Sequence, residues 1–460
     1  MVGLPLDAVD SDVTSKKSMS NPPQTSPLDT FQNGPVNVPD FGRWHNFDIF
    51  PDIQNFPQSG TSLVQKWPVE KSTDGPKDFN LLKEYFIKSW SNKTCNHKEE
   101  ALNSHATLDG CHGENFQPCN QMWIQSVKDN ANMGQVDSVA APGVILSDAD
   151  VRIMPTKSPC YYKKPHRDFF LDRLQNSFLN ASTPVYISHY SKDGAWAMIE
   201  DVAGKIFGFV EAVKVAKMDQ NDINNLSSLP IGVFSKDNVP LYDTDGQFLA
   251  YARLGQVFFV KKEDAQSIWI YWPQRINNGM ASWIVVNVSK GGEVVAHTVP
   301  LAMSNETVSG ALDQLLGQPY GWGGTLGNRD CSSMVQDFFR LFGCCLPRNS
   351  KDQSTDGGKI IDLTGKSLAE KEQIIAGKGI PYRTILYAPG HVGIYAGTLD
   401  GQVLMIHAKW SSSFMKNGFE GSHIIGKSIV SSLDYDKDIL GLVTPFSEKL
   451  SSMILVQENP

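Results

Sequence analysis

The sequence predicts a multidomain chain of two small all-β barrels, followed by an α+β domain in which a helix bearing a cysteine packs on an antiparallel sheet. Three observations support this prediction. Short strands separated by turn signals recur over residues 146–217 and again over 231–299. From residue 303 to 446 the pattern changes to mixed helices and strands. Within that part, a glycine-rich loop runs into an amphipathic helix that begins at Cys331.

Length and composition indicate a largely globular protein. Apolar residues make up 41% of the 460 positions, which is enough for real hydrophobic cores. The formal charge of -8 argues against a nucleic-acid-binding protein, because such proteins normally carry a basic face. No apolar run is long enough for a transmembrane helix. No secretory signal is visible either, so the protein is intracellular or numbered from after a removed signal.

The first part of the chain does not have the pattern of a free-standing domain. Residues 1–38 are rich in small polar residues and proline, and we expect them to be disordered because they cannot bury enough surface to offset the entropy of ordering. Residues 39–145 are irregular, with one predicted helix over 78–90. We expect this segment, the clasp, to hold a neighbouring domain through aromatic anchors, which are Trp44, Phe47, Phe50 and Phe56.

Potential metal ligands are concentrated in the clasp. They are Cys95, His97, His105, Cys111, His112 and Cys119. Their spacing matches none of the usual paired-cysteine zinc patterns, so isolated thiols or one local disulfide are expected instead of a metal site. No metal or other cofactor is predicted for the chain. A redox role for the adjacent pair Cys344 and Cys345 is a weak alternative, because such a pair at a helix end is more often structural.

Each barrel is predicted from a handful of short strands. In the first barrel they cover 185–189, 196–199 and 206–210, and in the second 240–242, 257–260, 268–272 and 283–288. Most of the aromatic residues in these stretches alternate along strands. We therefore interpret them as core residues, although grooves for sugars or peptides are an alternative.

The strongest chemical signal is the cysteine at the start of a helix. Asp330 is a good N-cap, so Cys331 lies in the first helical turn. The apolar positions behind it recur at spacings of three and four; they are Met334, Val335, Phe338, Phe339 and Phe342. Unpaired N–H groups and the helix dipole favour thiolate over thiol, so we expect a lowered pKa and a nucleophile. The alternative is a buried apolar cysteine.

A base for this nucleophile is expected in a downstream hairpin. His391 begins one predicted strand and His407 ends the next, with a hairpin signal between them at 398–401. A three-residue loop would place His391 opposite Lys409, with His407 as its diagonal neighbour on the same face. A five-residue loop would place the histidines directly opposite each other. A loop of even length would send them to opposite faces, because side chains alternate along a strand.

The first two registers allow Cys331, His391 and His407 to act together. His391 would take the thiol proton, and His407 would hold that imidazole in the useful tautomer and orientation. A neutral histidine in the orienting role costs less to bury than a carboxylate would. His423 lies in a Gly/Ser-rich stretch and is not included.

These motifs resemble those of the NlpC-type papain-like cell-wall cysteine peptidases. In that family a Tyr-x-Trp-Gly-Gly loop precedes Asp-Cys-Ser, and the base histidine opens a strand reading His-Val-Gly-Ile-Tyr. The corresponding segments here are 320–324, 330–332 and 391–395, and 347–350 is similar to a further family segment that follows the cysteine helix. A clasp followed by two bacterial SH3-like barrels also resembles one multidomain branch of the family. The departures are Ser333, where Gly is more usual, and Asn349, where Asp is common.

The resemblance implies hydrolysis of the γ-D-glutamyl–diamino acid bond in peptidoglycan stem peptides. Cys331 would be the nucleophile, His391 the base and His407 its orienting partner. The resemblance further implies a location in the cell envelope, and we expect a monomer. Peptidoglycan-derived peptides are the expected partners, with no nucleic acid and no membrane span.

The resemblance also suggests residues that bind the substrate. Tyr320 would help the Cys331 N–H to bind the oxyanion. Asp330 and Ser332 would hold a free L-Ala amine at the N-terminus of the stem peptide. The first barrel would wall the cleft and restrict access to small muropeptides, and the candidate wall residues are Tyr161, Tyr162 and Asp172.

Two rival functions follow from the same sequence. A papain-like amidase, or another peptide specificity, would use the same three residues on a different bond. A wall-binding module with an inert catalytic domain belongs to another class of protein. The presence of Cys331, His391 and His407 together argues against the inert module, because an inactive copy often loses one of the three.

Overall fold

The computed structural model describes residues 51–456, apart from 71–77 and the single positions 165, 167, 169, 277, 292, 417 and 440. The expectations for residues 1–38 and for the anchors Trp44, Phe47 and Phe50 lie outside the described residues. In the part of the chain that is described, no helix has the length and apolar character needed to cross a membrane.

The clasp consists of short helices. They are α1 (Pro51–Asn55), α2 (Gly60–Lys66), α3 (Asn80–Phe86), α4 (Lys98–Asn103) and α5 (Gln121–Asn130). The helix predicted over 78–90 is α3, which continues as a 3-10 turn over Ile87–Ser91. Its inner face is buried as expected, except that Leu81 is 44% exposed.

The first barrel is an antiparallel sheet with strand order β3-β2-β6-β5-β4-β1-β7. Its strands are β1 (Ala141–Ile145), β2 (Ala149–Arg152), β3 (Gln175–Leu179), β4 (Pro184–Tyr190), β5 (Trp196–Asp201), β6 (Ile206–Glu211) and β7 (Val215–Lys217). The barrel starts earlier than the expected boundary at residue 146. The reason is that β1 pairs with both β4 and β7 and so belongs to the sheet, not to the clasp.

The second barrel follows a connecting helix, α6 (Gln220–Ser228). Its main sheet has the order β13-β12-β11-β8-β14, and β9 and β10 form a separate ribbon. The strands are β8 (Ile231–Phe234), β9 (Val239–Tyr242), β10 (Phe248–Ala252), β11 (Val257–Glu263), β12 (Ser267–Arg275), β13 (Ala281–Ser289) and β14 (Ala296–His297). Inward-facing aromatic and branched side chains fill its core, as their alternation predicts.

The C-terminal domain places helices on an antiparallel sheet of order β15-β20-β16-β17-β18-β19. Its helices are α7 (Asn305–Leu315), α8 (Cys331–Arg340), α9 (Ser350–Asp356), α10 (Leu368–Lys378) and α11 (Phe446–Lys449). Its strands are β15 (Gly358–Asp362), β16 (Thr384–Ala388), β17 (His391–Leu399), β18 (Gln402–Lys416), β19 (Phe419–Ser432) and β20 (Ser452–Val456). The apolar face of α8 packs in one core with β17 and β18.

The expected tail over 447–460 is wrong for its described part. β20 inserts between β15 and β16 and pairs with both of them. Met453 and Ile454 are fully buried. A short apolar run without alternation is typical of a strand that is covered on both faces, and this one lies inside the sheet.

Arg329, at the end of the glycine-rich loop, attaches the second barrel to the C-terminal domain. Its guanidinium donates to both carboxylate oxygens of Asp237 at 2.8 Å and to Asp337 of α8 at 2.8 Å. Burial by itself would raise the pKa of Asp237, but the adjacent Arg329 outweighs it and lowers the pKa to about 2. The loop that leads to the cysteine is therefore held at its base by buried ion pairs.

Candidate active site

The cysteine occupies the first turn of α8, as the sequence predicts. Asp330 is the N-cap: its carboxylate accepts from the Ser333 N–H at 2.9 Å, and the Ser333 hydroxyl accepts from the Asp330 N–H at 2.9 Å. This reciprocal pair is a capping box. It accounts for Ser333, because glycine at this position would leave the Asp330 N–H without that acceptor.

The surroundings of Cys331 favour the neutral thiol. Its side chain is almost fully buried, and its sulfur accepts the backbone N–H of Val392, the residue after His391. Burial, followed by the charge of Asp330, raises the pKa of Cys331 to about 11. The expected lowering of the pKa is therefore wrong for the free protein, because the cost of desolvating a thiolate exceeds the gain from the first helical turn.

The hairpin that carries the histidines has a two-residue turn, not the expected three-residue loop. Leu399 pairs with Gln402, and the φ angles of Asp400 and Gly401 are 50° and 85°. Two consecutive positive φ angles are typical of a type I′ turn. An even loop alone would send the histidines to opposite faces of the sheet.

A β-bulge at Ala396 reverses that outcome. The register shifts by one residue between Tyr395 and Gly397, so that Ile394 pairs with Ile406. Continued along the strands, this register puts His391 opposite Lys409, with His407 diagonal to it on the same face. His391 and His407 are therefore diagonal neighbours on one face of the sheet, as a three-residue loop would have placed them. The extra residue of the bulge compensates for the shorter, two-residue turn.

The bulge is held from outside by Trp67 of the clasp. Gly397 has φ of 138°, and a Cβ atom there would lie 2.4 Å from the Trp67 ring. The Trp67 indole N–H donates to the carbonyl of Thr398 at 3.0 Å, and the Tyr382 hydroxyl donates to the Trp67 carbonyl at 3.0 Å. The clasp thus contacts the segment that sets the register of the histidines.

The two imidazoles form a direct hydrogen bond. His391 Nε2 lies 2.8 Å from His407 Nδ1, and the rings meet edge to face. Burial lowers the pKa of both histidines well below the usual value, and the nearby Lys409 ammonium adds to this effect. Phe446 packs edge-on against His391 with centroids 5.6 Å apart. Both rings are therefore neutral in the free protein.

A cavity of about 250 Å³ opens in front of this pair. His391, Tyr320, Trp322 and Lys409 line it from the C-terminal domain. Sequence reasoning did not select Lys409 for the site, although the hairpin register already placed it opposite His391. Its ammonium lies close enough to act on the pKa of Cys331 and of both histidines.

The first barrel contributes to the wall of the cavity through residues other than the expected ones. Asp168 and Leu171 line the cavity, whereas Tyr161, Tyr162 and Asp172 do not. Asp172 instead pairs with Arg152, and its carbonyl accepts from the Trp322 indole N–H at 3.1 Å. The first barrel's part of the cavity wall is thus formed by residues that lie between Tyr162 and Asp172 in the same loop, and not by the expected residues themselves.

Tyr161 and Tyr162 are engaged within the first barrel and the clasp. Tyr161 exchanges backbone hydrogen bonds with His112. The ring of Tyr162 stacks on His166 with centroids 4.0 Å apart, and Arg173 lies over it. These contacts explain why neither ring faces the cavity.

Tyr320 is placed to interact with the cysteine. Its ring is 5.8 Å from that of Trp410, another residue of the cavity wall. Burial, followed by the nearby Cys331 and Asp330, raises the pKa of Tyr320 well above its usual value. The phenol therefore keeps its proton and can donate a hydrogen bond.

Asp330 and Ser332 face an internal partner, Arg348. Its guanidinium donates to the two carboxylate oxygens of Asp330 at 2.9 and 2.6 Å and to the Ser332 hydroxyl at 2.8 Å. Burial acts to raise the pKa of Asp330, but Arg348 outweighs it and the pKa is lowered. Neither Asp330 nor Ser332 lines the cavity. Sequence reasoning noted the segment around Arg348 but did not assign that residue a role.

The cysteine and histidine cluster of the clasp is partly organised by a disulfide. Cys111 is bonded to Cys160 of the first barrel, with Cα atoms 5.2 Å apart. The partner therefore comes from outside the clasp, whereas isolated thiols or one local disulfide were expected. Cys95 and Cys119 do not take part in a disulfide. Within the described ranges, no group of three metal-ligating side chains is arranged to hold an ion.

Family models match three parts of the chain. One described as the NlpC/P60 family matches residues 317–427, one described as an SH3 domain of SH3b1 type matches 159–211, and one described as an SH3 domain of SH3b2 type matches 219–265. A comparison with curated protein sequences finds no match.

The chain is also similar to solved structures. An NlpC/P60 endopeptidase from Photobacterium damselae subsp. piscicida has a TM-score of 0.72 and 20% identity, over 87% of this chain and 97% of that chain. At this identity the likeness shows a shared fold. An NlpC/P60 family protein from Bacillus cereus ATCC 10987 aligns over 69% of this chain and 100% of its own, with 15% identity and a TM-score of only 0.42.

These matches confirm the predicted fold class and the resemblance stated from the motifs. The NlpC/P60 match lies within the α+β domain that bears Cys331, and the two SH3 matches overlap the two barrels. The chain therefore has a C-terminal NlpC/P60 domain, which is a cysteine peptidase domain, preceded by two SH3b domains.

Proposed function

We propose that the protein is an endopeptidase that cleaves the γ-D-glutamyl–diamino acid bond of peptidoglycan stem peptides. The observation that carries the proposal is the hydrogen bond between His391, which lines a cavity, and the buried His407, with the Cys331 sulfur bound by the N–H next to His391. A nucleophile, a base and a partner for the base are the minimum required for thiol-dependent acyl transfer.

In this mechanism, His391 Nδ1 is the atom that accepts the thiol proton, because Nε2 is engaged by His407. The free protein holds a neutral thiol and a neutral imidazole, so the proton moves as the sulfur attacks the substrate carbonyl carbon. The resulting imidazolium returns the proton to the leaving amine, and a thioester to Cys331 forms. Water, activated by the same imidazole, then hydrolyses the thioester and restores the thiol.

The oxyanion of each tetrahedral intermediate would be bound by Tyr320 and the Cys331 backbone N–H. A first-turn N–H has no partner within its own helix, and the phenol of Tyr320 stays protonated. Both groups are held before substrate arrives, which is the condition for effective stabilisation of developing charge.

Charges at the cavity suit a short peptide with both termini free. Asp168 of the first barrel lies near Tyr320 and would receive the L-Ala ammonium, since the Asp330 carboxylate is already neutralised by Arg348. Lys409 would face a substrate carboxylate. Asp330 and Ser332 would then support the site through Arg348 instead of binding the amine themselves. A loop of the first barrel at the cavity fits a preference for free muropeptides over intact wall.

We further propose that the protein acts as a monomer in the cell envelope. The Cys111–Cys160 disulfide supports an oxidising compartment, where such bonds persist. The domain composition supports peptidoglycan peptides as partners.

The test is incubation of the purified protein with L-Ala-γ-D-Glu-diaminopimelate, followed by mass spectrometry of the products. We expect L-Ala-γ-D-Glu and free diaminopimelate, with no turnover by Cys331→Ala. Cleavage at another bond would support the rival peptide specificity or amidase. Binding to wall fragments without any cleavage would support the inert module and overturn the proposal.

A further inference from the structure

A buried serine, Ser431, extends the hydrogen-bonded pair of histidines by one residue. His407 Nε2 lies 3.0 Å from the hydroxyl oxygen of Ser431, on the neighbouring strand β19. That hydroxyl in turn donates to the carbonyl of Ser432 at 2.9 Å. His407 and Ser431 are both fully buried, so solvent does not provide alternative partners for either group.

The bond from Ser431 to Ser432 fixes the direction of the hydrogen bonds from His407 to Ser431 and from His391 to His407. A carbonyl oxygen only accepts, so the single hydrogen of the Ser431 hydroxyl is used on Ser432, and the hydroxyl oxygen must accept from His407. The proton of His407 is therefore on Nε2, and its Nδ1 is an acceptor. His391 must then donate from Nε2 to that Nδ1. The consequence is that Nδ1 of His391 carries a lone pair.

We propose that Ser431 is a positioning residue that fixes the proton positions of the histidine pair and thereby keeps His391 Nδ1 ready to accept a proton. The proposal rests on the proposed function only in so far as His391 is the base. Ser431 does not touch substrate or the sulfur in this role. It acts through His407, which is why the sequence motifs around the cysteine and the histidines give no sign of it.

Loss of the Ser431 hydroxyl removes the acceptor for the His407 Nε2–H. A buried N–H without a partner is unfavourable, whereas an unprotonated ring nitrogen in the same place costs less. His407 should then move its proton to Nδ1 and donate to His391 Nε2. His391 would carry its own proton on Nδ1, where it cannot act as a base. The hydrogen bond between the rings survives in this state, but its direction is reversed.

The first test measures the proton positions directly, by nitrogen NMR of the full chain labelled at histidine. In the wild type we expect both imidazoles to be neutral and protonated on Nε2, with signals assigned through His391→Gln and His407→Gln. In Ser431→Ala we expect protonation on Nδ1 of both rings. Ser428→Ala is the matched control, because Ser428 is buried on the same strand and its side chain points to the opposite face. A wild-type His391 protonated on Nδ1 would overturn the proposal without any variant.

The second test uses turnover. Ser431→Ala should lower kcat on the stem tripeptide at least tenfold, with KM little changed, and Ser431→Thr should restore most of the rate because it keeps the hydroxyl. Equal rates for the Ala and Thr variants, in proteins with the same melting temperature, would contradict the inference. If the tripeptide is not cleaved by the wild type but the NMR result holds, the substrate assignment fails and the role of Ser431 stands.

Discussion

Asp330 and Arg348 form a two-pronged ion pair, with oxygen–nitrogen distances of 2.9 and 2.6 Å, directly behind the first turn of α8. One residue begins the helix and the other belongs to the segment that follows it. The pair therefore joins the start of the helix that carries Cys331 to the segment that follows it. Because both side chains are buried, each depends on the other to offset the cost of its desolvation.

Arg348→Met should destabilise the protein by about 3 kcal/mol, because it leaves the Asp330 carboxylate buried without its partner. Urea denaturation measures the change. Lys205→Met is the control: this lysine also pairs with a carboxylate, Asp356, but both side chains are substantially exposed, so a change below about 1 kcal/mol is expected. Equal effects of the two variants would contradict the structural role of the buried pair.

Alkylation of Cys331 should be slow at neutral pH and should rise about tenfold per pH unit towards pH 11, since only the thiolate reacts. Peptide mass spectrometry after timed treatment with iodoacetamide gives the rate at this cysteine. Lys409→Met should slow the reaction further, because removal of a nearby ammonium raises the pKa of the thiol. A rate that is already constant above pH 8 would show a lowered pKa and exclude the neutral resting pair.

The same Lys409→Met variant should shift the pKa of the histidines upwards, in the same direction as that of the thiol. The Lys409 ammonium contributes to the lowered pKa of His391, so its removal should raise that pKa. Histidine NMR over a pH titration measures the change, and the acid limb of a profile of kcat/KM against pH should move upwards with it. An unchanged titration would mean that Lys409 has no electrostatic role at the site.

Asp237→Asn should lower the free energy of unfolding by an amount that depends on pH. The pKa of Asp237 is about 2 in the fold and near 3.8 when unfolded, so its ion pair with Arg329 stabilises the protein fully above about pH 4. That contribution disappears as the pH falls through 2. We expect a loss of about 2 kcal/mol at pH 7 relative to wild type, and a difference that shrinks below pH 4. A difference that does not vary with pH would argue against the depressed pKa.

Gly397→Ala should disturb the histidine register from outside the site. The new methyl group would overlap the Trp67 ring, so we expect destabilisation of about 2 kcal/mol or more and a loss of turnover. Trp67→Ala in the same protein should recover part of the lost stability, as a double-mutant cycle would show. Gly365→Ala is the control, since this glycine has positive φ but open space around it. Additive effects of the Gly397 and Trp67 changes would rule out their contact.

The sequence was informative where chemistry is carried by short motifs. The shared face of His391 and His407 was one of the arrangements that the spacing allowed, and the position of Cys331 at a helix start followed from periodicity. The type of turn and the bulge at Ala396 did not, because the bulge depends on Trp67, which lies 330 positions earlier. The direction of the pKa shift at Cys331 was also missed, since it is decided by burial that appears only when the domains are assembled.

The side chains of the cavity wall and the pairing of the disulfide could not be predicted from the sequence either. A loop can be located by resemblance, but which of its side chains turns inwards is set by contacts such as those of Tyr162 with His166. Cys160 was not considered with the cysteines of the clasp because it lies 49 positions after Cys111. Ser431 left no local signal at all, since it acts on the site only through the pairing of β18 with β19.

The position of β20 has a consequence for how the enzyme is made. Because this strand fills the gap between β15 and β16, β15 cannot join the rest of the sheet until β20 has left the ribosome. A nascent chain that already contains the nucleophile and both imidazoles can therefore form only the part of the sheet made by β16, β17, β18 and β19. Completion of the sheet therefore requires residues that follow Cys331, His391 and His407 in the chain.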